Sequence, residues 1–272
     1  MPDTVQAARE RAWQTYLTGG GVVELERQVY DLDQPWPNTQ FSLLPFVRYV
    51  GTSSKGTILR KVSSNGPMFY WAGETDGGGT SGPASEMALS HLRLDYGDRP
   101  LNSSDIAIHI PNQAGDRWPA LFAFQDLRIY GAHHAIFDTA GSLQGGMERL
   151  FLEKCSRGIE LALGTTRRLV NIHCMGSGDA ARDCFALYLN NAKTTHLDTV
   201  SVDDWRVTMA DAPVVIAGVG GGRFTAFHAE NNTVNSTVVR TISGPLLPHD
   251  GEWGTGNLTH GGQKIRFAGG TP

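Results

Sequence analysis

The chain has 272 residues, of which 40% are hydrophobic and 18% charged, a composition that supports one folded body and excludes a disordered chain. Its formal net charge of −4 gives no overall electrostatic reason to bind nucleic acid or an acidic membrane surface. No apolar run reaches the length of a membrane span and the N-terminus lacks a secretion-signal pattern, so we expect no membrane insertion and see no export signal.

The first predicted element is an amphipathic helix. Apolar residues recur at helical spacing between Asp3 and Leu17, and Gly19-Gly20-Gly21 then ends the pattern. We assign residues 1–21 to this helix and its glycine stop. The helix is expected to cap one end of the domain that follows.

Residues 22–243 contain a recurring unit, an apolar-polar-apolar triplet followed by a turn and a second alternating run. The triplets are Leu92-Arg93-Leu94, Leu127-Arg128-Ile129, Leu150-Phe151-Leu152, Val170-Asn171-Ile172 and Val200-Ser201-Val202. The second runs are Ile106-Ala107-Ile108, Ile136-Phe137, Ile159-Glu160-Leu161 and Phe185-Ala186-Leu187.

The spacing of these units indicates a solenoid. The steps from Leu127 to Leu150 and from Leu150 to Val170 are 23 and 20 residues, which suits one coil, and longer steps would carry insertions. The pattern predicts an all-β fold, a single-stranded right-handed parallel β-helix, followed by a glycine-rich C-terminal segment at 244–272. A leucine-rich repeat shares the period and is the alternative, but its regular leucine framework is missing.

The beginning of the chain resembles a known family. The segment Asp3-Thr4-Val5-Gln6-Ala7-Ala8, the triple glycine and Val22-Val23-Glu24-Leu25 are similar to the opening of pectate-lyase-superfamily β-helix domains, which include many phage tail spikes. The resemblance implies a β-helix that engages a polysaccharide or oligosaccharide. It also implies a place in a virion tail or outside the cell, and assembly as a homotrimer.

A second likeness lies in Tyr130-Gly131-Ala132-His133-His134, which is similar to the tyrosine-histidine motif of alginate epimerases of this fold. The acidic residue of that motif is absent here, so the likeness does not carry the activity over.

The triplets predict an exposed face, because side chains of a strand alternate between its two sides. The outward rows are Arg93 and Asp95, Arg128 and Tyr130, Phe151 and Glu153, Asn171 and His173, and Ser201 and Asp203. In this register Glu153, His173 and Asp203 form one column, with an imidazole between two carboxylates. Such a column is suited to acid-base catalysis.

The predicted column leaves the reaction open. Glu153 and Asp203, two coils apart, would be about 9.6 Å from each other, a separation typical of inverting glycosidases. A lyase would need a base and a cation for the uronate carboxylate, and the candidate cations are Arg128, Lys154 and Arg206.

A further candidate group is the insertion 176–183, which would bring acidic residues over the column. We predict catalytic roles for Asp179 and Asp183 and sugar contacts for nearby residues, namely Arg182, Asp204, Trp205 and Arg206. Sugar contacts are also predicted on the coils around the column, for Arg93, Asp95, Arg128, Tyr130, Lys154 and Asn171. No cofactor is expected except calcium, which Asp179, Asp183, Asp203 and Asp204 could hold; no EF-hand spacing is present. The three cysteines match no metal or redox spacing and are predicted to be buried free thiols.

Together these features favour a carbohydrate-active β-helix, a phage tail-spike-like module that binds and depolymerises a bacterial surface polysaccharide by hydrolysis or β-elimination. Two alternatives stay open, a non-catalytic structural or receptor-binding tail protein and a free-standing polysaccharide lyase or epimerase. The polar rows are also compatible with an ordinary solvated face.

Overall fold

A computed structural model describes residues 3–33, 40–79, 81–115, 117–162, 164, 166–190, 195–207, 215–217, 223–230, 232–234, 239–241 and 247–248. One helix, α1 (Val5–Leu17), precedes the strands of this part of the chain. The strands are β1 (Gly21–Glu24), β2 (Val29–Asp31), β3 (Phe41–Ser42), β4 (Val47–Val50), β5 (Ile58–Arg60), β6 (Phe69–Tyr70), β7 (Gly82–Ser85), β8 (Ala88–Ser90), β9 (Arg93–Asp95), β10 (Ile106–Ile110), β11 (Arg117–Ala120), β12 (Ala123–Tyr130), β13 (His134–Asp138), β14 (Gly146–Glu153), β15 (Arg157–Ala162), β16 (Arg168–Met175), β17 (Phe185–Asn190), β18 (His196–Asp203), β19 (Arg206–Val207), β20 (Val215–Ala217), β21 (Arg223–Glu230), β22 (Thr233–Val234), β23 (Val239–Thr241) and β24 (Leu247–Pro248).

Helix α1 begins at a side-chain cap. The Thr4 hydroxyl accepts a hydrogen bond from the Ala7 backbone N–H at 3.1 Å, which satisfies one of the donors that a helix start leaves unpaired. The helix buries Ala8 and Ala12 but leaves Trp13 exposed, so its apolar stripe is narrower than predicted. It contacts β1 and β4 at the start of the larger sheet, in the predicted capping position.

Most of the strands belong to two large parallel sheets. Sheet A has twelve strands, with the order β1-β4-β8-β12-β14-β16-β18-β21-β24 and with β2, β5 and β9 beside that path. Sheet B has eight strands in the order β3-β6-β10-β13-β15-β17-β20-β23. The chain passes from one sheet to the other and back in each coil, and every coil stacks on the previous one.

This architecture is a parallel β-helix, so the predicted fold class is confirmed. A second sheet takes the side that a helix or 3₁₀ turn would occupy in a leucine-rich repeat, which removes that alternative. Connections between parallel strands of one sheet are right-handed in nearly all proteins because of strand twist.

Sheet A bends at one residue in four of its eight-residue strands. The fourth residues of β12, β14, β16 and β18 are Asp126, Arg149, Asn171 and Thr199, with φ values of 52°, 54°, 54° and 55°. A left-handed conformation costs a residue other than glycine about 1–2 kcal/mol. Because it recurs at the same register position, the bend belongs to the shape of the coil.

The core is a continuous apolar column inside the coils. At one register position of sheet A the inward residues are Leu94, Ile129, Leu152, Cys174, Val202 and Ala229. The three cysteines are free thiols, as predicted; Cys155 and Cys174 are buried and Cys184 is half-buried. Burial raises the pKa of the Cys155 thiol to about 12, which makes this thiol unreactive at neutral pH.

The register of β16 differs from the prediction. Ile172 pairs with Leu150 and Val200, so the triplet that aligns with the other coils is Ile172-His173-Cys174, and the predicted Val170-Asn171-Ile172 is wrong by two residues. Val170 precedes the bend, and Cys174 occupies the inward position that the neighbouring coils give to an aliphatic side chain. The apolar pattern therefore pointed to the wrong set of residues.

The last predicted segment, 244–272, lies outside the described residues except for Leu247–Pro248, which pairs with Arg223 and Phe224 of β21. In the described ranges, no helix has the length and apolar character needed to cross a membrane.

Candidate functional site

The outer face of sheet A, after its bend, carries two neighbouring rows of side chains. The first outer row contains Arg93, Arg128, Phe151, His173, Ser201 and His228, and the second contains Asp95, Tyr130, Glu153, Met175, Asp203 and Glu230. Neighbouring strands are about 4.8 Å apart. Charged groups on adjacent coils are thus within interaction distance.

The structure places the two acids of the predicted column, Glu153 and Asp203, in one row. The prediction that His173 lies between them in that row is wrong. Glu153 and Asp203 share the second outer row two coils apart, but Met175 lies between them and His173 belongs to the first outer row. The His173 Nε2 atom nevertheless lies 3.2 Å from Asp203 Oδ2. Glu153 is paired with Arg128 instead, at 2.6 Å between Oε2 and Nη2. The imidazole therefore contacts Asp203 diagonally across the rows.

Asp203 is held by several groups at once. The Ser201 hydroxyl donates to its Oδ2 atom, and the backbone N–H of Glu230 donates to its Oδ1 atom at 3.1 Å. The Nε2 atom of His228 lies 3.8 Å from Asp203 Oδ1 and 3.3 Å from Glu230 Oε2. The Asp203 side chain is 14% exposed, so these contacts enclose most of the carboxylate.

The predicted sugar-binding residues of the earlier coils form a cluster of their own. The Arg93 guanidinium lies over the Tyr130 ring, 5.4 Å from its centre, and pairs with Asp95 at 2.8 Å. Lys154 Nζ donates to the Tyr130 hydroxyl at 2.9 Å and to Asp98 at 3.0 Å. These two acceptors raise the pKa of Lys154. This end of the face thus presents fixed cations around an aromatic ring.

Asp183 is a structural residue, which corrects its predicted catalytic role. It is 5% exposed, and its carboxylate accepts hydrogen bonds from the Ser177 N–H and hydroxyl, the Gly178 N–H and the Arg206 N–H, at 2.6–3.2 Å. The carboxylate therefore fixes the insertion and ties it to the next coil. Asp179 is exposed and accepts from a backbone N–H in its own turn, so its catalytic role stays a prediction.

Two predicted sugar-binding residues are placed elsewhere. Trp205 is 1% exposed and its indole N–H donates to the Cys174 carbonyl at 3.0 Å, so it is a core residue. Asn171 is at the bend of β16 and belongs to neither outer row. The side chains of Asp204 and Arg206 are exposed and that of Arg182 is half-buried, and sugar contacts by these three stay predictions.

The acids considered for calcium are not brought together as a set. The Asp183 carboxylate is already occupied by N–H and O–H donors, so it has no place in a cation site. Asp203, His228 and Glu230 do form a group in the described part of the chain, because one potential metal-binding atom from each lies within 4.8 Å of the other two.

Sheet B presents a second outward face. At one register position its strands carry Ser42, Tyr70, His109, Phe137, Glu160 and Tyr188, here termed the sheet B row. His109 lies between Tyr70 and Phe137, with 5.4 Å to each ring centre and an angle of 7° to the Phe137 plane. A groove of about 600 Å³ lies at the Tyr70 end, between loops 65–67 and 103–104.

Two histidines beside this row contact each other and an acid. The Nδ1 atoms of His133 and His134 are 3.0 Å apart, and His134 Nε2 lies 3.1 Å from Glu160 Oε2. Burial lowers the pKa of His133 to about 4, with further lowering from His134 and Arg157. Burial also lowers the pKa of His134, and its hydrogen bond to Glu160 opposes this shift. Both rings are neutral at pH 7.

The hydrogen bond to Glu160 selects one tautomer for each of the two neutral rings. Because the Glu160 carboxylate can only accept, its hydrogen bond is made in the tautomer whose His134 Nε2 carries the proton; His134 Nδ1 then accepts from the Nδ1–H of His133. The Nε2 atom of His133 then has a lone pair. Arg157 Nη1 lies 3.2 Å from the same His134 Nε2 atom, to which it donates when that nitrogen is unprotonated, and 37% of the Arg157 side chain is exposed. Glu160, His134 and His133 thus form a chain that orients a base beside a cation.

The sequence contained a partial signal for this cluster. The second alternating runs already place Glu160 between two inward aliphatic residues and Phe137 after one, and the same alternation gives His109 and Tyr188. What the sequence did not show is that the His133-His134 pair meets an acid of the next coil.

The chain is thus a parallel β-helix whose two large sheets each present ionisable side chains on their outer face. Among solved structures, the A-module of the Azotobacter vinelandii mannuronan C-5 epimerase AlgE4 is similar over 89% of this chain and 88% of that chain, with 11% sequence identity and a TM-score of 0.40. A likeness this distant transfers no activity. No family model and no curated protein matches the chain.

Proposed function

We propose that this chain is a carbohydrate-active β-helix that binds an acidic polysaccharide along the sheet B row and cleaves it by β-elimination. The observation that carries the proposal is the chain of Glu160, His134 and His133 beside Arg157. It combines a neutral base with a fixed cation on a half-buried outward surface, and clusters of groups with shifted pKa values are typical of catalytic sites.

Each group has a defined role in such an elimination. The His133 Nε2 lone pair takes the proton next to the uronate carboxylate, and the Arg157 guanidinium pairs with the charge that develops on that carboxylate. The leaving glycosidic oxygen needs a proton, for which the Tyr188 hydroxyl on the strand after Glu160 is the candidate donor. Glu160 holds the His134 tautomer and stabilises the charge that His133 gains.

The shape of the surface supports an extended substrate. The sheet B row runs along the coil axis and is continuous with the groove at Tyr70, so several sugar units can lie across successive coils. Because the His109 and Phe137 rings stack face to face, sugars meet the edges of these rings.

Inverting hydrolysis on sheet A is the second candidate. It is supported by the placement of Glu153 and Asp203 two coils apart, which separates the strand positions by about 9–10 Å. In this case His173 orients Asp203, and substitution of either residue would abolish cleavage.

The two candidates give different products. The protein is incubated with capsular, O-antigen and uronate-containing polysaccharides, and both reducing ends and the absorbance of unsaturated uronates are followed. We expect unsaturated products that disappear in His133→Gln and persist in the matched sheet A variant Asp203→Asn. Circular dichroism checks that both variants are folded.

Other outcomes overturn the proposal. Reducing ends without unsaturation, lost in Asp203→Asn but retained in His133→Gln, would assign hydrolysis to sheet A. Binding without any product would indicate a non-catalytic receptor-binding module. The tail-spike role and the homotrimer are parts of the proposal that rest on the sequence resemblance, and sedimentation of the purified chain tests the trimer.

A further inference from the structure

The far end of the sheet A face gathers four side chains with metal-binding atoms. They come from three strands that are neighbours in sheet A. His173 is on β16, Asp203 is on β18, and His228 and Glu230 are on β21. One donor atom each from Asp203, His228 and Glu230 lies within 4.8 Å of the other two, and His173 Nε2 lies 3.2 Å from Asp203 Oδ2. None of these groups is used by the elimination proposed for sheet B.

The separations fit the edges of a coordination shell. With bonds of about 2.0–2.1 Å, neighbouring ligand atoms of a tetrahedral zinc ion are about 3.3–3.4 Å apart. The separations are 3.2 Å from His173 Nε2 to Asp203 Oδ2, 3.3 Å from His228 Nε2 to Glu230 Oε2 and 3.8 Å from His228 Nε2 to Asp203 Oδ1. His173 and His228 contact different oxygens of Asp203, so the Asp203 carboxylate links His173 to the group formed with His228 and Glu230, and a shared ion requires the His173 ring to turn towards that group.

The surroundings of these atoms also favour an ion. His173 Nε2 is within 3.2 Å of Asp203 but has no aligned hydrogen-bond partner among the described residues, so its lone pair or proton is unsatisfied. The Ser201 hydroxyl and the Glu230 backbone N–H orient the Asp203 carboxylate, as outer groups do for metal ligands. Half of the His228 side chain is exposed, which leaves a path for an ion to enter.

We propose that His173, Asp203, His228 and Glu230 form a binding site for a divalent transition-metal ion, with zinc preferred. Two imidazoles with two carboxylates are ligands typical of zinc, whereas calcium prefers six or more oxygen atoms. The ion would join three successive coils of sheet A. Its main effect is to stabilise the later coils of the β-helix, because an ion that binds only the folded chain raises its stability.

The test uses the full chain without a polyhistidine tag, stripped of metal with a chelator. Zn²⁺ is titrated by calorimetry, with Ca²⁺ and Mg²⁺ in parallel, and Co²⁺ is added separately for its visible absorption. We expect one Zn²⁺ per chain, a higher unfolding temperature, a tetrahedral cobalt spectrum, and weaker binding of Ca²⁺ and Mg²⁺.

Ligand variants and a matched control decide whether these four residues bind the ion. His228→Ala and Glu230→Gln should weaken Zn²⁺ binding about tenfold or more, whereas His196→Ala, at the exposed start of β18, should leave it unchanged. Unfolding temperatures in chelator show that the variants fold. Zn²⁺ binding that is absent, insensitive to both ligand variants, equally weakened in the control, or no tighter than Ca²⁺ binding would overturn the proposal.

Discussion

His109→Phe tests the geometry of the sheet B row through its dependence on pH. His109 is stacked on Phe137 at an angle of 7° and meets the edge of Tyr70, so a phenyl ring can take the same place. Burial lowers the pKa of His109 from its ordinary value of 6.5 to about 4, and the neighbouring His134 adds to the shift. The substitution removes this titration and preserves the ring contacts.

The sign of the effect follows from proton binding. Between pH 6.5 and 4 the unfolded chain binds a proton at position 109 that the folded chain does not bind, so stability present above pH 6.5 is lost as the pH falls towards 4. A pKa difference of this size corresponds to about 3 kcal/mol. Because His109 is only partly buried, solvent screening reduces the expected effect to about 1–2 kcal/mol.

The assay is urea unfolding at pH 7.5 and at pH 4.5 for both proteins. Between these pH values, His109→Phe should lose about 1–2 kcal/mol less free energy of unfolding than the unsubstituted chain. At pH 7.5, where the ring is neutral, the variant should be at least as stable, which controls for packing. An unchanged difference between the two pH values would refute the buried, stacked position of His109.

Two further substitutions separate structural from catalytic roles and test the bend of sheet A. Asp183→Asn places an amide among N–H donors and should lower the free energy of unfolding by about 2–4 kcal/mol while retaining cleavage; lost cleavage at unchanged stability would restore the catalytic role. Thr199→Asn should raise the free energy of unfolding by about 1 kcal/mol, because Asn tolerates the φ of 55° better than a β-branched residue. His196→Asn in the same strand, where φ is not left-handed, is the control, and an equal gain there would contradict this explanation.

The predicted site shows how far a repeat pattern can be extended to a surface. Glu153 and Asp203 were placed in one row correctly because aliphatic triplets mark their coils. The register predicted for the strand that carries His173 was wrong by two residues. Val170 was taken as an inward aliphatic residue, whereas the inward position belongs to Cys174, which does not continue the aliphatic pattern. The contact of His173 with Asp203 was still predicted, although it runs diagonally between the outer rows and not along one of them.

Burial explains the errors in the insertion and after it. In the sequence Asp183 and Trp205 are a polar loop residue and an aromatic beside charged residues, which are ordinary features of a sugar site. Only the packed coils show that the Asp183 carboxylate accepts four hydrogen bonds and that the Trp205 ring lies in the core.

The sequence by itself determined the β-helix, its N-terminal helix and the identity of most inward residues, because strand alternation and coil repetition are local properties that recur along the chain. The tertiary structure decided which outward residues meet, since contacts between coils depend on register, on the bend of sheet A and on insertions of unequal length. The chain from Glu160 through His134 to His133 and the grouping of Asp203, His228 and Glu230 both cross from one coil to the next. The alternation of residues within a single strand does not specify such contacts.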